Sequence, residues 1–302
     1  MSLRKLAGKI YTSVKYQLFK HLPKKCYPGL LKLCFAVELK EKLNIKHPQT
    51  INDKVQWLKL YDCTTIKTKL ADKYAVRQWV VENIGEEYLI PMLGVWNKFD
   101  DIDFDSLPDR FVLKATHGCG CNLVVTDKRT LDIGDARKKF KRWMKINYAY
   151  YSGEIQYEKI QPRIIAEEYV ENEGGELFDY KVFCFNGKAR YIMFLNDRHT
   201  ALKMAFYDRN WTFQHFTYSY PQMENGVTKP EKLDEIIILA EKLSLGFDIV
   251  RADFYILNDG SIKFGEMTFA SAGGFCKWNP KEYNRLLGKE ITLSKDGAGG
   301  RT

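Results

Sequence analysis

Alternating apolar and polar positions dominate the C-terminal third of the chain. Two β-like runs, Ile249–Leu257 and Ser261–Thr268, flank Asn258-Asp259-Gly260, and a turn of that composition between alternating runs predicts a hairpin. Period two puts Arg251 and Asp253 on one face of the first run, and Glu266 and Thr268 on one face of the second. A second hairpin is predicted at Tyr180–Phe185 and Ala189–Leu195, turning at Asn186-Gly187. Arg110–Thr116 reads as a buried strand, followed by a loop, His117-Gly-Cys-Gly-Cys-Asn122, and a strand at Leu123–Thr126; Arg163–Val170 reads as another.

Helical spacing occupies the intervening stretches. Leu3, Leu6, Ile10, Val14 and Leu18 recur on one face until Pro23 ends the run. Asp72 is placed to cap a helix in which Val76, Trp79, Val80 and Ile84 share a face and Gly85 supplies the stop. Asp132 is placed to cap another, with Phe140, Trp143 and Met144 on one side and basic residues on the other. Thr228 and Glu231 suit a capping box for a helix with Leu233, Ile236, Ile237, Ala240 and Leu243 inward. Glu87–Met92 is a short run broken by Pro91, and the acidic, turn-like Asp100–Pro108 reads as a linker. Hairpins mixed with helices predict an α+β protein with largely antiparallel sheets.

Charge adds an asymmetry to this pattern. The chain carries a net charge of +9 over 302 residues, but Met1–Val37 has no Asp or Glu and eight Lys and Arg. The other 265 residues carry 39 basic and 38 acidic side chains, so a nearly neutral body bears a basic arm. Lysines interrupt the arm too often for a membrane span or a signal peptide. An acid-free amphipathic helix suits peripheral contact with an anionic membrane through residues 1–23, the alternative being a helix packed on the body with its lysines in solvent. Without a basic excess beyond the arm, nucleic acid is not expected as a partner. Seven cysteines with no C-x-x-C pair suit a reduced, cytoplasmic protein.

Two groups of residues carry candidate chemistry. Paired in register, the C-terminal hairpin brings a guanidinium, two carboxylates and a hydroxyl together: Arg251, Asp253, Glu266 and Thr268. Carboxylates on adjacent strands suit Mg²⁺ shared with phosphates, and a solvated polar face is the plain alternative. Lys114 ends an apolar strand just before the loop that contains Gly118 and Gly120. A lysine there can neutralise phosphates while backbone N–H groups, exposed by the glycines, cradle their oxygens. The loop has neither the Walker nor the Rossmann spacing.

The order of the segments resembles the ATP-grasp ligases. Asp72-Lys-Tyr-Ala-Val-Arg77 with Pro91, then Lys114 and the glycine loop, Ala166-Glu-Glu-Tyr-Val170, Asp179-Tyr-Lys181 and the R-x-D…E-x-T hairpin run in family order from Asp72 to Gly274. The wording of LKATHG-G, EEYV, DYKVFCFNGK and GEMTFASAGG is similar to the TupA-like group, which serves polysaccharide biosynthesis of the teichuronopeptide or capsule type. The resemblance implies two α+β subdomains clasping ATP, at 109–170 with the glycine flap and 171–293 with the metal site. Residues 38–108 precede them, 1–37 form the basic arm and 294–302 a flexible tail. It implies ATP contacts from Arg77, Lys114, Gly118, Gly120, Glu167, Glu168, Tyr169, Val170, Asp179 and Lys181. Asp253, Glu266 and Thr268 would hold Mg²⁺, with Mn²⁺ as the alternative. Thr268 stands where the family usually has Asn, and Arg77 where it usually has Lys.

Arg251 would be catalytic, with His117 either an acid–base group or a phosphate contact. His199 would line the acceptor side, with Arg198 or Lys203 near phosphate. The implied reaction joins an amino acid or small amine to a uronic-acid carboxylate of an acidic glycan or glycolipid precursor, through an acyl phosphate, with release of ADP. Two other readings are a glycosyltransferase using Asp101-Ile-Asp103 or Asp103-Phe-Asp105 as a D-x-D metal motif, and a non-catalytic ATP-binding, membrane-associated protein.

Overall fold

A computed structural model describes residues 3–171, 177–196, 203–224 and 226–294. The expected tail from 295 onward and the segment with Arg198 and His199 lie outside the described residues. The chain begins with helices α1 (Leu3–His21), α2 (Tyr27–Leu39), α3 (Ile51–Tyr61), α4 (Thr65–Ala71) and α5 (Val76–Asn83). Strands β1 (Met92–Trp96), β2 (Phe111–Ala115) and β3 (Asn122–Val125) follow, then α6 (Ile133–Trp143), the short α7 (Ala149–Ser152) and β4 (Ile164–Glu168). After these come β5 (Asp179–Phe185), β6 (Lys188–Asn196), β7 (Lys203–Asp208), β8 (Phe213–Gln214) and β9 (Thr217–Tyr218). The chain then runs through α8 (Leu233–Ser244), β10 (Ile249–Ile256), β11 (Ile262–Thr268), β12 (Trp278–Asn279) and α9 (Tyr283–Lys289).

Two antiparallel sheets organise the molecule: a four-stranded one in the order β1-β4-β2-β3, and a six-stranded one in the order β11-β10-β5-β6-β7-β8. Strands β9 and β12 form a small separate pair. Phe140 and Ala136 of α6 cover the first sheet, packing on Phe111, Leu113, Ile164 and Ala166. One face of the second sheet carries Val182, Cys184, Val250, Ala252 and Phe254, which α8 covers with Leu233, Ile236, Ile237, Ala240 and Leu243. On the opposite face, strands β5 and β10 change character along their length. Phe183, Phe185 and Ile249 enter a core with Val55 of α3 and Leu287 of α9. Two residues further on, the same face presents Lys181, Arg251 and Asp253. One face is thus half core and half polar cluster.

Local chemistry explains the predicted hairpins. Asn186 and Gly187 both take positive φ (49° and 75°), the mirror-image turn that matches strand twist. Asp132 caps α6, accepting a hydrogen bond from the Asp135 amide at 2.9 Å.

Five expectations need correction. Asp72 does not cap a helix; it ends α4, accepts the Tyr74 amide at 2.9 Å and pairs with Arg163 at 3.2 Å, and α5 begins only at Val76. Thr228 and Glu231 make no capping box; α8 begins only at Leu233, and Lys232 precedes it without a side-chain cap. Asp100–Pro108 is not a free linker, since Phe99, Ile102 and Leu107 are buried in the core of the first sheet. Strand β1, for which the sequence pattern gives no signal, pairs with β4, so a boundary at 108 would cut it from its own sheet. The basic arm is likewise part of the body in its second half, where Phe19, Leu31 and Phe35 pack with Phe275.

Candidate active site

Register alone assembles the polar cluster. Strand β10 pairs Arg251 with Thr268 and Asp253 with Glu266 on β11, and pairs Asp253 with Lys181 and Tyr255 with Asp179 on β5. Lys181, Asp253 and Glu266 therefore stand in a row across three adjacent strands. Past Asp253 the register slips, so that Phe254 faces Phe264 and Gly265 is the extra residue on β11. A side chain at Gly265 would place its Cβ 3.1 Å from the Asp253 carbonyl oxygen, so the bulge beside Glu266 is packed tightly around a glycine.

Each carboxylate in the row is held by cations. Asp253 accepts from Arg251 Nε at 2.7 Å and Nη2 at 2.8 Å, a bidentate pair, and from Lys181 Nζ at 2.5 Å. Lys181 also pairs with Asp179 at 2.5 Å. Glu266 accepts from Arg251 Nη2 at 3.1 Å, from Thr268 Oγ1 at 3.2 Å and from Lys73 Nζ at 3.0 Å. Burial alone would raise the Glu266 carboxyl, but Lys73, Arg251 and Lys181 more than offset it and hold it well below the usual carboxylate range. Burial likewise would lower Lys73 and Lys181, and their carboxylate partners instead keep both above the ordinary lysine range.

The other wall of the site comes from the first sheet. Glu167 of β4, buried, pairs with Lys114 of β2 at 2.5 Å and with Arg77 of α5 at 3.1 Å; Arg77 also donates to the Ile90 carbonyl at 3.0 Å. The two walls enclose a cleft of about 250 Å³. Lys73, Arg77, Lys114 and Lys181 line it, with Glu167, Asp179, Asp253 and Glu266, the loop residues Cys119, Gly120 and Asn122, and the apolar side chains Val76, Leu89 and Phe264.

Most of the residues singled out in the sequence meet here, with some differences in placement. Arg251 and Thr268 do not line the cleft; they stand behind the two carboxylates and orient them. Glu167 faces Lys114 and Arg77, holding both cations in position. Glu168 is exposed, the Tyr169 hydroxyl donates to Glu171 at 2.9 Å with its ring 4.1 Å from the Arg110 guanidinium, and neither they nor Val170 line the cleft. His117 is buried against the Trp143 carbonyl at 3.1 Å and also lies off the cleft. Burial pushes its imidazole below the ordinary histidine range. Gly118 sits under the Tyr148 ring, 3.1 Å from a Cβ built there, whereas Gly120, at φ 73°, opens onto the cleft. Lys203 pairs with Glu224 at 3.4 Å, away from the cleft.

The sequence pattern alone assigns Lys73 no role. It lies in the same D-K-x₃-R segment as Arg77, and an adjacent lysine was the available signal. The D-x-D residues also lie off the cleft: the Asp103 side chain accepts the Asp105 amide at 3.1 Å, and Asp100 beside them pairs with Arg137 at 2.6 Å.

Around the cleft, Lys73, Arg77, Lys114, Lys181 and Arg251 outnumber Glu167, Asp179, Asp253 and Glu266 by one charge, which suits a polyanion. No group of three or more His, Cys, Asp or Glu placed to hold a metal occurs among the described residues. Two carboxylates on paired strands fit Mg²⁺ whose remaining oxygens come from phosphate.

The sequence matches the family described as TupA-like ATPgrasp over residues 53–292. A search of curated proteins found no match. Among solved structures, the chain is similar to an N5-carboxyaminoimidazole ribonucleotide synthetase in its ADP complex, at 14% identity and a TM-score of 0.42, over 72% of this chain and 50% of the other. It is also similar to the D-alanine–D-alanine ligase from Bacillus anthracis complexed with ATP, at 15% identity and a TM-score of 0.44, over 74% of this chain and 65% of the other. The chain thus spans half the length of the first structure and about two-thirds of the second.

Proposed function

The chain belongs to the TupA-like ATP-grasp family, and on that premise we propose that it is an ADP-forming carboxylate–amine ligase that takes ATP and Mg²⁺ in this cleft. The observation that carries the reading is the row Lys181–Asp253–Glu266, with Lys73 at one end and Lys114 on the opposite wall. Lys73, Lys114 and Lys181 would take the polyphosphate oxygens, and Gly120 would let the loop backbone approach them. Val76, Leu89 and Phe264 offer an apolar slot for a purine. Asp253 and Glu266 would hold Mg²⁺, which when bound offsets phosphate charge and orients the transferring phosphoryl group.

Arg251 then acts by fixing both carboxylates through its bidentate and lateral hydrogen bonds. Each lysine exchanges a carboxylate partner for a phosphate oxygen, so binding leaves few charges unpaired. A carboxylate oxygen of the acceptor attacks the terminal phosphoryl group, and an amine displaces phosphate from the resulting acyl phosphate. Closure of the glycine loop would exclude the water that otherwise hydrolyses it.

For the substrates, the wording of the motifs supports a uronic-acid carboxylate of a cell-surface polysaccharide or its lipid-linked precursor, joined to an amino acid or small amine. The test is incubation with ATP, Mg²⁺, uronic acids and an amino-acid mixture, read by mass spectrometry. ADP together with a product of the summed masses less one water is expected. ATP left unconsumed under every pairing would overturn the ligase reading; ADP and a ligated product from a non-uronate acid would retain it and replace the substrate.

A further inference from the structure

Helix α1 packs on the body with one face and leaves a different one in solvent. Tyr11 and Lys15 donate to Glu38 of α2, each at 2.8 Å, and the Asn147 amide donates to the Tyr16 hydroxyl at 3.2 Å. Phe19 is fully buried against Tyr27. These positions, at spacings of three and four, form the buried stripe. The apolar stripe Leu6, Ile10 and Val14 lies on the other side, with Leu6 42% exposed, Ile10 55% and Val14 51%. Three large aliphatic side chains at i, i+4 and i+8 form one continuous patch, where scattered single exposures would need no explanation.

The charge next to that patch has one sign. Exposed Lys9 and Lys20 flank it, and Lys24 and Lys25 follow the helix. No acid occurs before Glu38. Glu38 and Glu158 approach from the body, where Lys15 and Lys24 pair with them at 2.8 and 2.5 Å. No helix among the described residues is long and apolar enough to cross a membrane, so a helix of this kind would lie along the surface.

We propose that the outward face of α1 docks the enzyme on an anionic lipid surface, with Leu6, Ile10 and Val14 entering the acyl boundary and Lys9 and Lys20 reaching the headgroup phosphates. The aliphatic stripe requires an apolar medium, and the acid-free flank selects negative headgroups. This docking does not depend on the chemistry of the cleft, which shares none of its lining residues with these side chains.

The full chain is mixed with sedimentable vesicles of phosphatidylcholine alone, or with a quarter phosphatidylglycerol, and binding is measured at low and high salt. The variants are Lys9→Gln with Lys20→Gln, and Ile10→Ser with Val14→Ser; all four side chains are exposed, and thermal melts confirm folding. Wild type is expected to sediment with the anionic vesicles at low salt and to release at high salt. About one kcal/mol per lysine converts to roughly a 30-fold weaker partition for the double glutamine variant. The double serine variant should lose more than tenfold, while ATP turnover in solution is unchanged for both. Wild type that ignores anionic vesicles, or binding that either pair of substitutions leaves intact, overturns the proposal. So does a wild-type dimer that the serine variant turns into a monomer, because a second copy would then be what covers the stripe.

Discussion

Lys73 offers the sharpest test of the site, because its only claim to function comes from the fold. Its ammonium sits 3.0 Å from Glu266 Oε2 and lines the cleft beside Lys114 and Lys181. Replacing it with Met keeps the length of the stem and removes the charge. Two effects then separate. Glu266 loses one counter-ion but keeps Arg251, and about a third of its side chain reaches solvent, so its desolvation is incomplete. The stability cost should therefore be of the order of an exposed pair, about 0–1 kcal/mol, a shift of a few degrees in Tm.

Nucleotide binding should suffer more. A hydrogen bond between a lysine and a phosphate is worth roughly 1.5–3 kcal/mol, or about 10- to 150-fold in Kd. The assay is calorimetric titration of Mg²⁺-ATP into wild type and Lys73→Met, with melts alongside. Because Lys73 must leave Glu266 to reach a phosphate, the loss should be larger with Mg²⁺ present, when the carboxylate has another partner, than with the metal chelated. A Kd within twofold of wild type would refute the reasoning, and Lys73 would then be only an anchor for Glu266.

Three further expectations follow from the same geometry. Glu266→Gln removes a formal charge from the row and should lower ADP formation on the order of 10²- to 10³-fold, the scale of losing one preorganised electrostatic contact; wild-type turnover would remove Glu266 from the metal site. Gly265→Ala forces a Cβ to 3.1 Å from the Asp253 carbonyl oxygen and 3.3 Å from the Tyr255 ring, so the bulge must shift by a few tenths of an ångström. That variant should lose about 1–3 kcal/mol of stability and turnover beyond that loss, whereas unchanged kcat at reduced Tm would mean that the bulge does not aim Glu266. Lys59, buried under the Ser271–Gly274 loop with its Nζ 2.7 Å from the Gly273 carbonyl, is pushed down to about 8 by burial. Between pH 8 and the ordinary lysine value the unfolded chain binds the extra proton, so wild-type stability should gain with rising pH relative to Lys59→Met; parallel pH–Tm curves for the two proteins would show that Lys59 stays charged in the fold.

How much of this was legible in the sequence follows the range of the interactions involved. The hairpin at Asn186-Gly187 could be read because its positive φ values are a local demand that those two residues meet without help. The same holds for Asp132, whose acceptor partner is three residues away. Asp72 shows where local reading stops. Its side chain suits a helix cap as well as Asp132 does, but Arg163, 91 residues on, takes one of its oxygens and α5 starts four residues later. Strand β1 begins just after Pro91 and contains Gly94, both unfavourable for a strand by composition; its pairing with β4 overrides that preference.

The site divides along the same line. Asp253 and Glu266 face each other across a short hairpin, so alternation and a turn suffice to bring them together. The β5 partner Lys181 is 72 residues from Asp253, and Lys73 is 193 residues from Glu266. Neither contact leaves a trace in spacing, because the chain between can vary in length without changing the register of the sheet. Gly265 combines the two cases. It is visible in the sequence as a glycine in a strand, but the reason for it, the close approach of the Asp253 carbonyl at the slip in register, exists only once β10 and β11 are paired. A metal-binding hairpin can thus be recognised from its carboxylates, while the lysines that pair with those carboxylates come from parts of the chain that only the two-sheet architecture brings within 3 Å.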